Sequence, residues 1–381
     1  MNIISSLFSV PIKIHRNGFL WLYKRIKSEL LSPRFSATKY AVKRIEYLRR
    51  LFSSKKIATQ ISTVSTDTLL AVYDLNSSPI TFDFAHFLAA ADSYGKTHEK
   101  SKLFVLIVQR ELDPLLADKI YAETIPEDSQ NWRLNNIILQ LIHLYPACTG
   151  YSLMSSQSQI LNLISNQLIY PAGYSHTFKP GIDYVNIFKL INLKLFSGFH
   201  APKQGLNYVQ KWQKLNAILN PMVVITLRQY GYDVARNSNI EEWVKFAHWV
   251  KGQGFTPIFV PDIDSCWIPN NLLDDFIIFN EPCWNLGLRM ALNELAFVNL
   301  FYYNGPASIC TLNKKVRTIV FIPVIEESIH GNSTTIKQFG LTNGQRRYNF
   351  AEPHQFLSWK RDSFDNIQYE FTEFRKYVQL G

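Results

Sequence analysis

Four short apolar runs constrain this chain more than any other feature of it. They are Thr68–Tyr73 (TLLAVY), Leu103–Val108 (LFVLIV), Met222–Leu227 (MVVITL) and Thr256–Val260 (TPIFV). Each is continuous rather than alternating, as expected of a strand buried on both faces. Phe82–Tyr94 and Asn239–Lys251 lie between them with helical spacing. Strand, helix and strand in succession make the βαβ unit of a parallel sheet. The series occurs twice, so the chain is expected to form two Rossmann-like α/β halves facing a cleft.

The rest of the pattern fills in around those units. Gln167–Tyr170, Phe276–Phe279, Ser308–Leu312 and Arg317–Ile322 read as further strands. Asn131–Leu144, Leu286–Tyr302 and Asp365–Tyr377 read as helices. The expected division is an arm and linker over 1–66, a first half over 67–215 and a second half over 216–381. No fixed-period repeat or low-complexity tract interrupts it.

Charge separates the arm from the body. Residues 1–56 hold 13 Lys or Arg against Glu29 and Glu46, a net +11, so the total of +10 leaves −1 for everything after them. A near-neutral body without a basic-aromatic stripe argues against nucleic acid as a partner. In Lys39–Phe52 the residues Tyr40, Ala41, Ile45, Leu48 and Phe52 recur at three-to-four spacing among five basic residues. Phe19–Tyr23 adds an aromatic cluster beside Lys24, Arg25 and Lys27. Such a basic helical arm fits an anionic membrane surface or packs on the body. No apolar run reaches the length of a transmembrane helix, and no signal-peptide cleavage site is evident. The four scattered cysteines fit reduced thiols of a cytoplasmic protein. The placement expected is peripheral, on the inner face of the cytoplasmic membrane.

In open α/β sheets ligands bind beyond the carboxyl ends of the strands. The most informative strand end is Thr226–Asn239 (TLRQYGYDVARNSN), which sets Arg228, Tyr232, Arg236, Asn237 and Asn239 between a strand and a helix. Guanidiniums bind phosphate bidentately, and a helix N-terminus adds its N–H groups. Two readings stand: a phosphate clamp, or arginines that pair with acids such as Asp233 and order the loop. Asn304, Gly305 and Ser308 either present a turn to a ligand or mark a helix stop before a strand. Glu281 either accepts bonds from sugar hydroxyls or caps the helix near Leu286. Asp262 begins an Asp-Ile-Asp sequence, a weak pattern for a metal ion on a diphosphate. No metal is expected to reside in the site.

On the first half, Asp74 and Asp83 are expected as general bases toward an acceptor hydroxyl, with His86 beside them. The plain alternatives are that Asp83 caps its helix and His86 lies on the surface. Arg133 and Asn136 share a helix face and either line the cleft or pair locally. There is no GxGxxG, GxxxxGK[ST] or GxSxG, which speaks against a dinucleotide-binding dehydrogenase, a P-loop NTPase and a serine hydrolase.

The two halves with an arginine loop opening the second resemble the GT-B-fold glycosyltransferases. The ITLRQYGYDVARNSN segment looks distantly like the strand-end arginine loop of fucosyltransferase-type members, although Thr226 stands where that branch often has histidine. The segments YDLNSSPITFDFAHFL, NWRLNNIILQLIHLYP, TLRQYGYDVARNSN and YNGPASICTLN are similar to bacterial proteins associated with surface polysaccharide synthesis. The resemblance implies a nucleotide-sugar donor on the second half, with Arg228 on the diphosphate, and a glycan or lipid-linked acceptor on the first. It implies no cofactor beyond that co-substrate, and inverting, metal-independent transfer. Two rivals remain. One is a polysaccharide pyruvyl transferase using phosphoenolpyruvate. The other is a non-catalytic protein that binds glycan or a partner.

Overall fold

The computed structural model describes residues 65–110, 127–164, 167–174, 182–231, 233–328 and 330–380. All belong to one compact unit, Ser65–Gly381. The basic arm with its two clusters, and Tyr232, lie outside the described residues.

Two parallel sheets carry the fold. The first holds β1 (Thr68–Asp74), β2 (Lys102–Val108), β3 (Cys148–Met154) and β4 (Ile169–Tyr170) in the order β3-β2-β1-β4. The second holds β5 (Met222–Thr226), β6 (Thr256–Val260), β7 (Ile277–Ile278), β8 (Val298–Tyr302), β9 (Thr318–Phe321) and β10 (Gln355–Ser358), in the order β10-β9-β8-β5-β6-β7. Every pairing is parallel. Counted from its own first strand, the second sheet runs 3-2-1-4-5-6, and the first sheet runs 3-2-1-4. Both therefore reverse direction of winding beside their first strand, at β1/β4 and at β5/β8. That switch point opens a crevice at the carboxyl ends. The expectation of two Rossmann-like halves holds.

The strands expected from apolar runs are the buried ones. Every residue of β1, β5 and β8 is buried, because helices cover both faces. The helices are α1 (Asp83–Thr97), α2 (Glu127–Arg133), α3 (Leu139–Leu144), α4 (Gln157–Ile164), α5 (Tyr184–Ile191) and α6 (Lys203–Leu215) on the first part of the chain. Then come α7 (Ile240–Gly252), α8 (Leu286–Leu295), α9 (Ala307–Thr311), α10 (Ser333–Gln338) and α11 (Phe364–Leu380). A π-helical stretch, Leu134–Ile138, joins α2 to α3 without a break.

Two expectations are corrected. Leu286–Tyr302 is not one helix: α8 ends at Leu295, and Val298–Tyr302 (VNLFY) is β8, paired on both sides by β5 and β9. A β-branched and aromatic run in the middle of a sheet gains more from the ladder and from burial than from continuing a helix. Ser308–Leu312 is not a strand. Ser308–Thr311 lies in α9, which begins right after the Gly305-Pro306 turn, and Leu312 is its C-cap.

One core cluster runs through both halves. It joins Phe84, Leu88, Ile138 and Phe199 to Leu286, Met290, Ile309 and Leu357. The halves also meet at glycine. A Cβ on Gly305 would stand 2.8 Å from Cδ2 of Phe82, so only hydrogen lets the β8–α9 turn close against the N-terminus of α1.

Candidate functional site

The β5–α7 loop and the β8–α9 turn, which flank the second switch point, are tied together. Arg236 donates through Nη2 to the carbonyl of Tyr303 at 2.9 Å, and its guanidinium lies 4.3 Å from that ring's centre. Tyr303 sits at φ 36° and Asp233 at φ 58°, left-handed conformations that a non-glycine residue adopts only when its surroundings hold it. Asn304 donates to the carbonyl of Thr226 and accepts from the N–H of Ala307.

These loops form one wall of a cavity of about 310 Å³, and the N-terminus of α1 with the α2–α3 rod forms the other. The π-helical stretch lies where that rod lines the cavity, as π-bulges often do at sites. Ten of the residues expected from sequence meet here. Asp83, His86, Arg133 and Asn136 come from the first half; Arg228, Arg236, Asp262, Asn304, Gly305 and Ser308 come from the second.

Of the two readings of the arginine loop, the bonds within it bear on the second, in which the arginines order the loop. Arg228 is 5% exposed and donates through Nη1 to the carbonyl of Asp233 and to Oδ1 of Asn237. Arg236 approaches the carboxylate of Asp233 at 3.4 Å. Burial would raise the Asp233 carboxyl, but the Ser328 hydroxyl and the Arg236 guanidinium hold it below its ordinary value. The loop is thus ordered by its own acid, while Nε of Arg236 remains buried with no hydrogen-bond partner. Burial, and then the nearby charge of Arg236, push Arg228 down to about 10, so its guanidinium still carries charge at neutral pH. Two cations held together away from water favour an anion between them.

Across the cavity, Asp83 lies in the first turn of α1 but does not cap it. Its carboxylate accepts from Thr81 Oγ1 at 2.5 Å and from the Tyr184 hydroxyl at 3.0 Å. Neither bond involves a cation. His86 follows one turn later, its ring 5.0 Å from that of Phe188, and its Nδ1 has no hydrogen-bond partner. Burial pulls its pKa down to about 4, against the opposing charge of Asp83, so the imidazole is neutral at pH 7. Arg133 donates to the hydroxyl of Tyr230 at 3.0 Å, and the same ring lies 5.9 Å from the Arg228 guanidinium, which links the walls through one aromatic side chain. Asn136 donates to the Trp132 carbonyl.

Four expected residues do not line the cavity. Asp74 is 3% exposed and already accepts four hydrogen bonds, from the N–H and Nδ2 of Asn76, from Gln157 and from Tyr174, which leaves no oxygen for a substrate proton. Asn237 braces the loop by accepting from Arg228 and the N–H of Tyr230. Asn239 is the exposed N-cap residue of α7, and its N–H donates to Asp362 at 2.8 Å. A carboxylate of the protein therefore occupies the helix end expected to receive phosphate. Glu281 neither faces the cavity nor caps α8. Asn285 does the capping, accepting from the N–H of Leu288.

Asp262 is held by the N–H groups of Gln229 and Ile263, and burial raises its pKa. Asp264 of the same Asp-Ile-Asp sequence is exposed. No group of three or more His, Cys, Asp or Glu side chains among the described residues could hold a metal ion. Cys148, Cys266, Cys283 and Cys310 are free thiols. No helix among the described residues is long and apolar enough to cross a membrane.

Sequence reasoning missed Tyr184, Tyr230, Tyr303, His330 and Arg289, all of which line the cavity. Only Arg289 left a readable signal. It falls on the buried stripe Leu286, Met290, Asn293 of α8, where a charge is out of place.

No family model matches the chain, and no curated protein matches it. Among solved structures the chain is similar to a glycosyl transferase family 9 protein from Veillonella parvula, with a TM-score of 0.46 and 9% identity over 81% of this chain and 96% of that one. It is similar to the E. coli ADP-heptose LPS heptosyltransferase II at a TM-score of 0.46 and 8% identity, over 82% of this chain and 99% of that one. It is also similar to E. coli heptosyltransferase WaaC with ADP-2-deoxy-2-fluoro heptose, at a TM-score of 0.34 and 10% identity, over 80% and 99%.

Proposed function

We propose that the chain is a glycosyltransferase that moves a sugar from a nucleotide-sugar donor to a hydroxyl of a glycan or lipid-linked acceptor. One observation carries this reading. Arg228 and Arg236, at the switch point of a Rossmann-ordered sheet, share a cavity with Asp83, a carboxylate from the opposite half that forms no ion pair among the described residues.

The chemistry follows from that opposition. An acceptor hydroxyl between Asp83 and the donor loses its proton to the Asp83 carboxylate as its oxygen bonds to the sugar's anomeric carbon. The bond from that carbon to the diphosphate oxygen breaks, and the guanidiniums stabilise the charge left on the diphosphate. Base and leaving-group stabiliser on opposite walls place the attacking and departing oxygens in line, which inverts the anomeric centre. His86, neutral beside Asp83, positions the acceptor. The basic segment 1–56 would hold the enzyme at an anionic membrane surface, where a lipid-linked acceptor lies.

The test is nucleoside-diphosphate release from a panel of nucleotide-sugars, with and without glycan and lipid-linked acceptors. The reading predicts release from one nucleotide class that depends on acceptor. Asp83→Asn should abolish it while leaving donor binding intact. Stabilisation by phosphoenolpyruvate alone, or full turnover in Asp83→Asn, would refute it.

A further inference from the structure

Arg289 is a cavity side chain that the proposed transfer does not use. It lies in α8 at 4% exposure and lines the same cavity as Arg228 and Arg236. Its Nε donates to the carbonyl of Pro282 at 2.8 Å, which fixes the head of the side chain. Its Nη1 is buried and has no hydrogen-bond partner. Among the described residues no carboxylate forms an ion pair with it, and the nearby acid Asp262 is engaged by two backbone N–H groups.

A buried guanidinium without a counter-charge is costly, and natural proteins keep one only where something compensates it. Leu286, Met290 and Leu292 around it on α8 show what the position would hold if packing alone mattered. An unpaired donor on a buried side chain that lines a cavity marks a place where a ligand oxygen completes the bonding.

We propose that Arg289 forms a second oxyanion subsite in this cavity, built from different residues than the Arg228–Arg236 pair. Its Nη1 takes an oxygen of a phosphate or carboxylate group of the ligand. This rests on reading the cavity as the donor site, because the two subsites share it. The oxyanion has two sources: a second phosphate linked to the one held by Arg228 and Arg236, or a separate acidic group of the acceptor.

The test uses the full chain and two probes, orthophosphate and pyrophosphate, read by thermal shift. Arg289→Met keeps the volume and removes the charge; Arg289→Lys keeps the charge on a shorter donor set. A ligand that binds only the folded state raises the melting temperature. If the second phosphate is the source, pyrophosphate raises the melting temperature of the native chain more than orthophosphate does, and Arg289→Met loses that excess. If a separate acidic group is the source, two orthophosphates bind the native chain and one binds Arg289→Met, counted by calorimetry. In either case unliganded Arg289→Met melts above the native chain, because an uncompensated buried charge is gone, and Arg289→Lys retains part of the response. An unchanged response to both anions in Arg289→Met overturns the subsite. Loss of response in Arg236→Ala together with an unchanged one in Arg289→Met overturns this inference alone. A native chain that responds to neither anion overturns the donor-site reading as well.

Discussion

The two switch points of this molecule have the same strand order and opposite chemistry. At β1/β4 the acid that ends β1, Asp74, is closed off: Asn76, Gln157 and Tyr174 take its oxygens. At β5/β8, Arg228 follows two residues after the end of β5, and the arginines of the cavity keep unfilled bonding capacity at Nε of Arg236 and at Nη1 of Arg289 from α8. Topology opens a crevice in both sheets. Whether it becomes a site depends on whether the polar groups at the strand ends satisfy one another or are left for a ligand. The first half contributes to the cavity from α1, the α2–α3 rod and α5 instead.

The largest effect is expected at Arg236. Its Ala variant removes a charged donor aimed at the leaving group, and turnover should fall by roughly 100- to 1000-fold. A loss below tenfold in steady-state assays would reduce Arg236 to a loop brace. Asp74→Asn should cost about 2–4 kcal/mol of stability, because it sets an amide donor against donors in a buried site. Denaturant melts measure that cost, and nucleotide binding in the folded variant should equal that of the native chain. If binding collapses with it, the two switch points are not independent.

A smaller effect concerns acid. The folded-state pKa of His86 is depressed to about 4, so the stability it confers is complete above its unfolded value and is lost as pH falls toward 4. For one such histidine the loss is on the order of 3 kcal/mol. His330 and His354, also depressed by burial, add to it. His86→Gln should flatten the stability profile between pH 6.5 and pH 4, the histidine's ordinary and folded values. A profile as steep as the native one would show that His86 is hydrated. The smallest effect is expected at the seam between the halves. Gly305→Ala forces Phe82 aside and should cost about 1 kcal/mol, with a drop in turnover if that contact sets the width of the cavity. An unchanged melt would mean that Phe82 gives way freely.

What the sequence revealed divides along the same line. Runs such as MVVITL and TPIFV declare buried parallel strands because each residue is covered on both faces. The edge strand β3 did not declare itself: CTGYSLM is half exposed and mixes small and polar residues, so no apolar run marks it. VNLFY followed a helix with only two residues between, and the periodicity ran on past the true end. Arg228, Arg236 and Asp83 were legible because strand ends and helix starts are where ligands meet an α/β sheet. Tyr184 and Tyr303 were not, because their place in the cavity comes from contacts far along the chain. Asp74 and Asn239 looked like their neighbours in sequence. Only the three-dimensional list of partners shows that Gln157, Tyr174 and Asp362 have already claimed them.

The proposed nucleoside-diphosphate site lies at the β5/β8 switch point and is built on Arg228 and Arg236. The most direct measurement is the melting temperature of the full chain with millimolar ADP, GDP, UDP or CDP, beside Arg236→Ala and Asp74→Asn. The account predicts a rise with one nucleotide class, kept in Asp74→Asn and lost in Arg236→Ala. No rise with any of the four, or an equal rise in Arg236→Ala, would contradict it.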